Sequence, residues 1–420
     1  MCGICGEIRF DGTTPSVESV ARMNAVMFPR GPDGSGIYQS GRLAVGHQRL
    51  KILDLSEHAQ QPMIDNELGL GIVFNGCIYN FRDLRAQLRA LGYRFFSDGD
   101  TEVILKAYAA WGVECVDRFH GMFAFAIWER DSGRVVLGRD RFGIKPLYFS
   151  ELQHGIRFAS TLPALLASGG IDTAIDPVAL HHYMSFHSVV PAPHTMLKGV
   201  RKLPPATVRV IDPDGSSRDH LYWRLHFGLL PEDQGRNYED WQEITLNTLR
   251  KAVERRLVSD VPVGVLLSGG LDSSLIVGLL AEQGQRGLNT FSVGFEAVNN
   301  EAGDEFQYSD IIARHFATEH HQIRVDSRRL LPALGDCIKS MSEPMVSHDV
   351  IGFYLLSEQV AKHVKVVQSG QGADEVFAGY HWYPPLSDST QPVDDYAGVF
   401  FDRDHVEFAQ AIQPGFLGDD

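Results

Sequence analysis

The sequence predicts two domains of different class: an α+β half, sheets with helices packed on them, then an α/β half built on a parallel sheet. Three observations carry this expectation. The chain has 420 residues, too many for one ordinary core. Residues 1–150 read as short strands and turns with two helices inserted, whereas the residues after about 260 alternate strand with helix. Between them lies a stretch rich in proline and turn residues.

In the first half, "IVFNGCIYN" (72–80) and "GMFAFAIWE" (121–129) are apolar, strand-like runs. "RVVLGRD" (134–140) and "PLYFS" (146–150) read as strands joined by a turn. "FRDLRAQLRALG" (81–92) and "TEVILKAYAAWGVECVDRF" (101–119) space their apolar residues as helices do. Residues 151–240 form a bridge containing "VVPAPHT" and "LPPATVRVIDPDGSS", with a boundary marked by "LLPEDQGRNYEDW" (229–241). Domains are expected at 1–210 and 235–420. In the second half, the strands "VPVGVLL" (261–267), "NTFSVGF" (289–295), "HHQIRV" (320–325) and "VKVVQSG" (364–370) are separated by helical segments. That rhythm implies a parallel sheet covered on both faces, with ligands beyond the carboxyl ends of its strands.

Composition narrows the function. The chain is 44% apolar and 22% charged, as soluble globular proteins are. It has no run near the roughly 18 apolar residues of a membrane span, and residues 1–30 lack a signal-peptide pattern. A cytoplasmic location, without membrane partners, is therefore expected. A formal charge of −15 argues against a nucleic-acid partner. Cysteines 2, 5, 77, 115 and 337 are scattered and odd in number, which reads as reduced thiols.

"SGGLDSS" (268–274) sits where a strand ends and a helix begins. Gly269 and Gly270 permit tight turning, and the helix start offers unpaired N–H groups to an anion. Ser268, Ser273 and Ser274 add hydroxyl donors. Asp272 repels a bare phosphate, so its role is to hold Mg²⁺ bridging phosphates. The loop lacks the lysine and the spacing of G-x-x-x-x-G-K-[ST]. It resembles the pyrophosphate loop of ATP pyrophosphatases. Downstream, "SGQGADEVFAGY" (369–380) is similar to the "SGEGSDEVFGGY" segment of asparagine synthetases. That resemblance implies ATP and Mg²⁺ as cofactors, Asp374 as the second metal carboxylate, Ser369 and Gly370 near the nucleotide, and Leu267 and Val293 against adenosine.

The chain opens "MCGICG", placing Cys2 directly behind the initiator methionine. Once Met1 is removed, one residue supplies both a thiol nucleophile and an α-amino base. Half a zinc site is the rival, but the sequence holds no second Cys-x-x-Cys. A redox pair lacks its usual strand–helix setting. The opening resembles the start of class II glutamine amidotransferases, in which this cysteine attacks the side-chain amide of glutamine. By that resemblance Arg49 and Leu53 of "GHQRLKILDLS", Asn75 and Gly76 of "FNGCIYN" and Asp100 of "GDTEVIL" line the glutamine pocket. Arg49 would clamp the α-carboxylate as a planar fork, and Asp100 would take the α-ammonium. Asn75 and Gly76 would form the oxyanion hole and join Cys2 in catalysis. "RGPDGSG" (30–36) resembles the loop that closes over this site.

Together the two halves resemble the asparagine synthetase family. The implied folds are an Ntn-hydrolase-like glutaminase and an adenine nucleotide alpha hydrolase-like synthetase. The implied activity is that of a glutamine-dependent carbon–nitrogen ligase, with a homodimer as the family's common state. Cys77 and Gln371 stand where the family pattern has glutamates, and "SEPMVSHD" (342–349) stands for "DEPFADSS". "GDEFQYSD" (303–310), "SEPMVSHDVIGFYLLS" (342–357), "VVQSGQGADEVFAGYHWYP" (366–384) and 185–207 resemble a narrower branch, the N-acetylglutaminylglutamine amidotransferases. That branch amidates a blocked dipeptide used in osmoprotection; aspartate is the alternative acceptor. The family pattern also continues past "GYHWYP" to an "R-x-P-F-L-D" motif that is missing before Asp420. An incomplete second domain is therefore expected, with a non-catalytic nucleotide- or partner-binding paralogue as the contrasting reading.

Overall fold

A computed structural model describes residues 1–295, 305–345, 347 and 349–417. Gly303 and Asp304 of the stretch 303–310, and Val346 and His348 of 342–349, lie outside the described residues. The chain divides into two compact units, Met1–Phe227 with the segment from Arg403 onward, and Gly228–Asp402.

The first unit holds twelve strands, here β1 (Gly3–Arg9), β2 (Gly34–Ser40), β3 (Leu43–Arg49), β4 (Met63–Asp65), β5 (Leu70–Ile78), β6 (Gly121–Glu129), β7 (Val135–Arg139), β8 (Tyr148–Leu152), β9 (Gly155–Ala159), β10 (Arg201–Lys202), β11 (Thr207–Ile211) and β12 (Ser217–Leu221). They pair antiparallel into two six-stranded sheets, ordered β10-β8-β9-β1-β3-β2 and β12-β11-β7-β6-β5-β4. Ile4, Ile8 and Val45 of one sheet meet Val73, Ala124 and Leu137 of the other in a shared core. Alternate residues such as Cys5 and Ala44 point outward, under the helices Val17–Val26 and Leu162–Ala167. The helices Phe81–Ala90 and Asp100–Trp111 lie on the far side, the latter against β5. Both faces of each sheet are thus covered, which is why these strands read as unbroken apolar runs.

Three expectations shift. The helix Val17–Val26, capped by the Ser16 hydroxyl, adds a third α-helix to the two expected in residues 1–150. The strands at 135–139 and 148–152 fall in different sheets, not in one hairpin. Asp140 organises the crossing turn by accepting from the backbone N–H groups of Ile144 and Lys145, both at 2.9 Å. The expected bridge is no linker: β9 and β11 lie inside the sheets, so a boundary at 210 would cut β11. The segment from Arg403 joins this unit because the buried Phe408 stacks on His181 at 4.2 Å. Arg403 also donates to the Met184 carbonyl at 3.0 Å.

In the second unit, β13 (Val263–Leu266), β14 (Asn289–Phe295), β15 (Glu319–Val325) and β16 (Val366–Gln368) form a parallel sheet ordered β15-β14-β13-β16. One core gathers Val265, Val277, Leu280 and Ala313, and another gathers Phe291, Leu356 and Val360, so helices cover both faces. The order reverses at β13, which opens a crevice beyond the ends of β13 and β16. Among the described residues, no helix is long and apolar enough to cross a membrane.

Candidate functional site

Strand register builds the first site. β1 runs antiparallel to β3 with Gly3 opposite Gln48, so Cys2 arrives beside Arg49 and Leu50. The Leu50 N–H lies 3.4 Å from the Cys2 Sγ, and the thiol points at the Leu50 carbonyl at 3.7 Å. Burial pushes this thiol up, and Asp100 adds to the rise, while the Leu50 hydrogen bond and the Arg49 charge pull it down. Arg49 and Asp100 therefore both act electrostatically on Cys2.

Each partner is locked. Arg49 is buried and donates to the backbone carbonyls of Ser56, at 2.8 Å, and of Asp54. Leu53 is half-buried in the turn between them. Asp100 opens its helix and accepts the Ile78 N–H at 2.9 Å. Burial raises its carboxyl to about 6, against hydrogen bonds that lower it. Asn75 lies inside β5, and its buried Nδ2 has no hydrogen-bond partner among the described residues. An unpaired buried donor is costly unless a ligand uses it. Gly76 cannot carry a side chain, because a Cβ would meet the Met122 carbonyl oxygen at 2.3 Å.

Several groups here were not singled out from the sequence. His47 is fully buried, and burial depresses it to about 3, leaving it neutral. Its Nε2 lies 3.0 Å from the Phe74 carbonyl, which can only accept, so Nε2 carries the proton. Arg30 donates to the Cys2 carbonyl at 3.1 Å. Asp33 accepts the Lys51 N–H at 2.9 Å. Lys145 places its ammonium 3.2 Å from the Met1 sulfur. Burial, helped by Arg30 and Lys145, lowers the chain's terminal amine to about 6. His47, Arg30 and Asp33 sit within quoted motifs, whereas nothing local marks Lys145. Cys5 is buried and inert, its thiol pushed far up by burial. The buried Cys77 is likewise pushed up by burial.

The second site is a cavity of about 300 Å³ beyond the sheet's carboxyl edge. Leu267, Ser268, Gly270, Asp272, Ser273, Val293, Ser369, Gly370 and Asp374 all line it. The Ser268 and Ser273 hydroxyls lie 3.1 Å apart, and the Gly270 N–H donates to Ser268 at 3.3 Å. Gly370 packs so closely on the helix start that a Cβ would lie 3.0 Å from the Ser273 nitrogen. Two expected contributors fall outside the lining. Gly269, at φ +94°, turns toward the next helix, where a Cβ would meet the Ser309 nitrogen at 2.5 Å. Ser274 follows Ser273 by about 100° around the helix, so it points elsewhere. Gln371, marked in the sequence as a departure from the family pattern, lines the cavity too, and so do Glu305, Phe306 and Phe353, which the sequence motifs did not assign a role.

Among the described residues, no group of three or more His, Cys, Asp or Glu is placed to hold a metal. Asp272 and Asp374 nevertheless face one cavity. Two carboxylates suit Mg²⁺ when the remaining ligands are phosphate oxygens and water, so the donor set fits that ion with a nucleotide.

Comparison with known proteins bears on both sites. A family described as a glutamine amidotransferase domain matches residues 1–223, and one described as asparagine synthase matches 245–415. "Asparagine synthetase (glutamine-hydrolyzing) 1" of Bacillus subtilis is 34% identical over 391 residues, 92% of this chain and 60% of its own length. "Putative asparagine synthetase (glutamine-hydrolyzing) 2" of Methanocaldococcus jannaschii is 36% identical over 404 residues, covering 90% and 76%. Against a solved glutamine phosphoribosylpyrophosphate amidotransferase from B. subtilis the TM-score is 0.41 at 14% identity, over 88% of this chain and 90% of that one.

Proposed function

The chain belongs to the asparagine synthetase family, and from that premise we propose that its first unit releases ammonia from glutamine and its second activates a carboxylate with ATP. The observation that carries the first half is the register that sets Cys2 against Arg49 and within the field of Asp100. A free α-amine on Cys2 takes the thiol proton. The sulfur bonds to the amide carbon, the Cys2 α-ammonium passes the proton to the amide nitrogen and the C–N bond breaks, so ammonia leaves and a glutamyl thioester remains. Water then releases glutamate. The Asn75 amide is suited to the oxyanion formed on the way.

In the second unit, Ser268, Gly270, Ser273 and Gly370 would surround the phosphates, while Leu267 and Val293 would flank adenosine. Asp272 and Asp374 would hold Mg²⁺, which when bound offsets phosphate charge. A carboxylate oxygen bonds to the α-phosphorus as pyrophosphate leaves, and ammonia then displaces AMP from the acyl carbon. The acceptor we favour is N-acetylglutaminylglutamine. Gln371, a neutral amide, stands in the lining where the family pattern has a glutamate, which leaves one carboxylate fewer beside Glu305 to face a free α-ammonium, and a blocked dipeptide has none. The names of the relatives favour aspartate as the second reading.

The first test is glutamate release, which Cys2→Ala should reduce by about a thousandfold or more. Full release by that variant would refute the assignment. The second is pyrophosphate release with each acceptor. A preference for the blocked dipeptide supports the narrower reading, and a preference for aspartate replaces it.

A further inference from the structure

Asp54 joins two turns that are distant in sequence. Its Oδ1 accepts from the Ser56 N–H at 3.1 Å and the Ser56 hydroxyl at 2.5 Å. Its Oδ2 accepts the Asp98 N–H at 2.7 Å, and its carbonyl accepts from Arg49. The first turn thus presents to Arg49 both carbonyls that orient the guanidinium. The second turn ends in Gly99 and Asp100; it is also held by Arg85, which donates to the Ser97 and Gly99 carbonyls at 2.6 and 2.7 Å, and by Glu102, which accepts the Ser97 N–H at 2.7 Å. Asp54 sits at φ 47°, a left-handed conformation that aspartate tolerates but that surrounding bonds must hold. It is 8% exposed. Burial works against its ionisation, yet the Ser56 and Asp98 hydrogen bonds and the Arg49 charge keep its carboxyl below the usual range.

Resting on the glutaminase reading above, we propose that Asp54 is a positioning residue for glutamine. One carboxylate fixes the spacing between Arg49 and Asp100, the groups that would take the substrate's α-carboxylate and α-ammonium. Asp54 touches no reacting atom, so its loss should weaken recognition while leaving the Cys2 chemistry in place. A residue that merely stabilised the fold would impair both together.

The test uses the full chain with Asp54→Asn, Asp54→Ala and Ser56→Ala. Asparagine tolerates the left-handed turn but turns an N–H toward the Asp98 N–H, removing one acceptor with little backbone change. For both Asp54 variants the KM for glutamine should rise about tenfold with kcat held within about twofold. Ser56→Ala should shift KM in the same direction by less. Iodoacetamide carries neither α-group, so alkylation of Cys2 should stay within about twofold of wild type. Peptide mapping reads that cleanly, since the other four cysteines are buried. An active wild type with unchanged KM in all three variants would overturn the positioning role alone. Losses of kcat and alkylation in step with KM would do the same. A wild-type chain releasing no glutamate would overturn the glutaminase reading and this role with it.

Discussion

Arg49, Asn75 and Asp100 are 4%, 1% and 4% exposed, whereas Ser268, Gly270 and Ser369 are exposed and Asp272 and Asp374 only half-buried. The first site withdraws its polar groups from water and braces Arg49 and Asp100 with protein partners. The second offers backbone and carboxylates near solvent, on a helix start whose Leu271 is 82% exposed. The difference fits the ligand proposed for each, glutamine for the first and ATP for the second. Glutamine's two small charges are recognised strongly only by fixed groups in a low-dielectric pocket. A triphosphate carries its own charge and its own cation, so a loop of N–H groups and two carboxylates suffices.

That contrast can be broken in three ways. The largest effect should come from Asp272→Asn, which removes one of the two carboxylates proposed to hold Mg²⁺. Pyrophosphate formation should fall about a hundredfold with glutamate release within about twofold of wild type. Equal loss of both activities would show that the sites do not divide the chemistry as proposed.

The middle effect concerns Asp100. Its folded carboxyl, raised to about 6 by burial from a reference value of 3.8, binds more protons in the folded state than in the unfolded one between those values. Its contribution to stability is therefore greatest below about 4, declines as pH rises through 6, and stays low above that. Asp100→Asn should gain on the order of 3 kcal/mol of stability at pH 7, read by chemical denaturation. Binding of the α-ammonium needs the ionised form, so the wild-type KM for glutamine should rise about tenfold per pH unit below 6. Asp100→Asn should have a high KM that no longer varies over that range. A flat wild-type profile would contradict the buried-carboxylate account.

The smallest effect should come from Gln371→Glu. Restoring a carboxylate to the cavity should move acceptor preference toward aspartate by about tenfold in kcat/KM. An unchanged ratio would remove Gln371 from the specificity argument.

Much of this was legible because turns and strand ends punctuate the sequence. "SGGLDSS" fixes a loop through its glycines, and β6 and β14 have the bounds their apolar runs suggest. What escaped depends on contacts between distant residues. The assignment of β8 and β7 to opposite sheets is set by Asp140 and by pairing partners beyond any local window. The bond from Asp98 to Asp54 joins residues 44 positions apart, and Phe408 reaches back to His181. Ser273 and Ser274 show the limit at finer scale: both carry hydroxyls, and only the helical turn decides which one enters the cavity.

Cys2, at the start of the chain once Met1 is removed, is the nucleophile proposed for the first chemistry. The most direct test of that role is mass spectrometry of the amino-terminal peptide after brief treatment with a diazoketone analogue of glutamine. The account predicts a single adduct on Cys2, with methionine removed and the α-amine free. An active enzyme whose Cys2 is unmodified, or whose amino terminus is blocked, would contradict it.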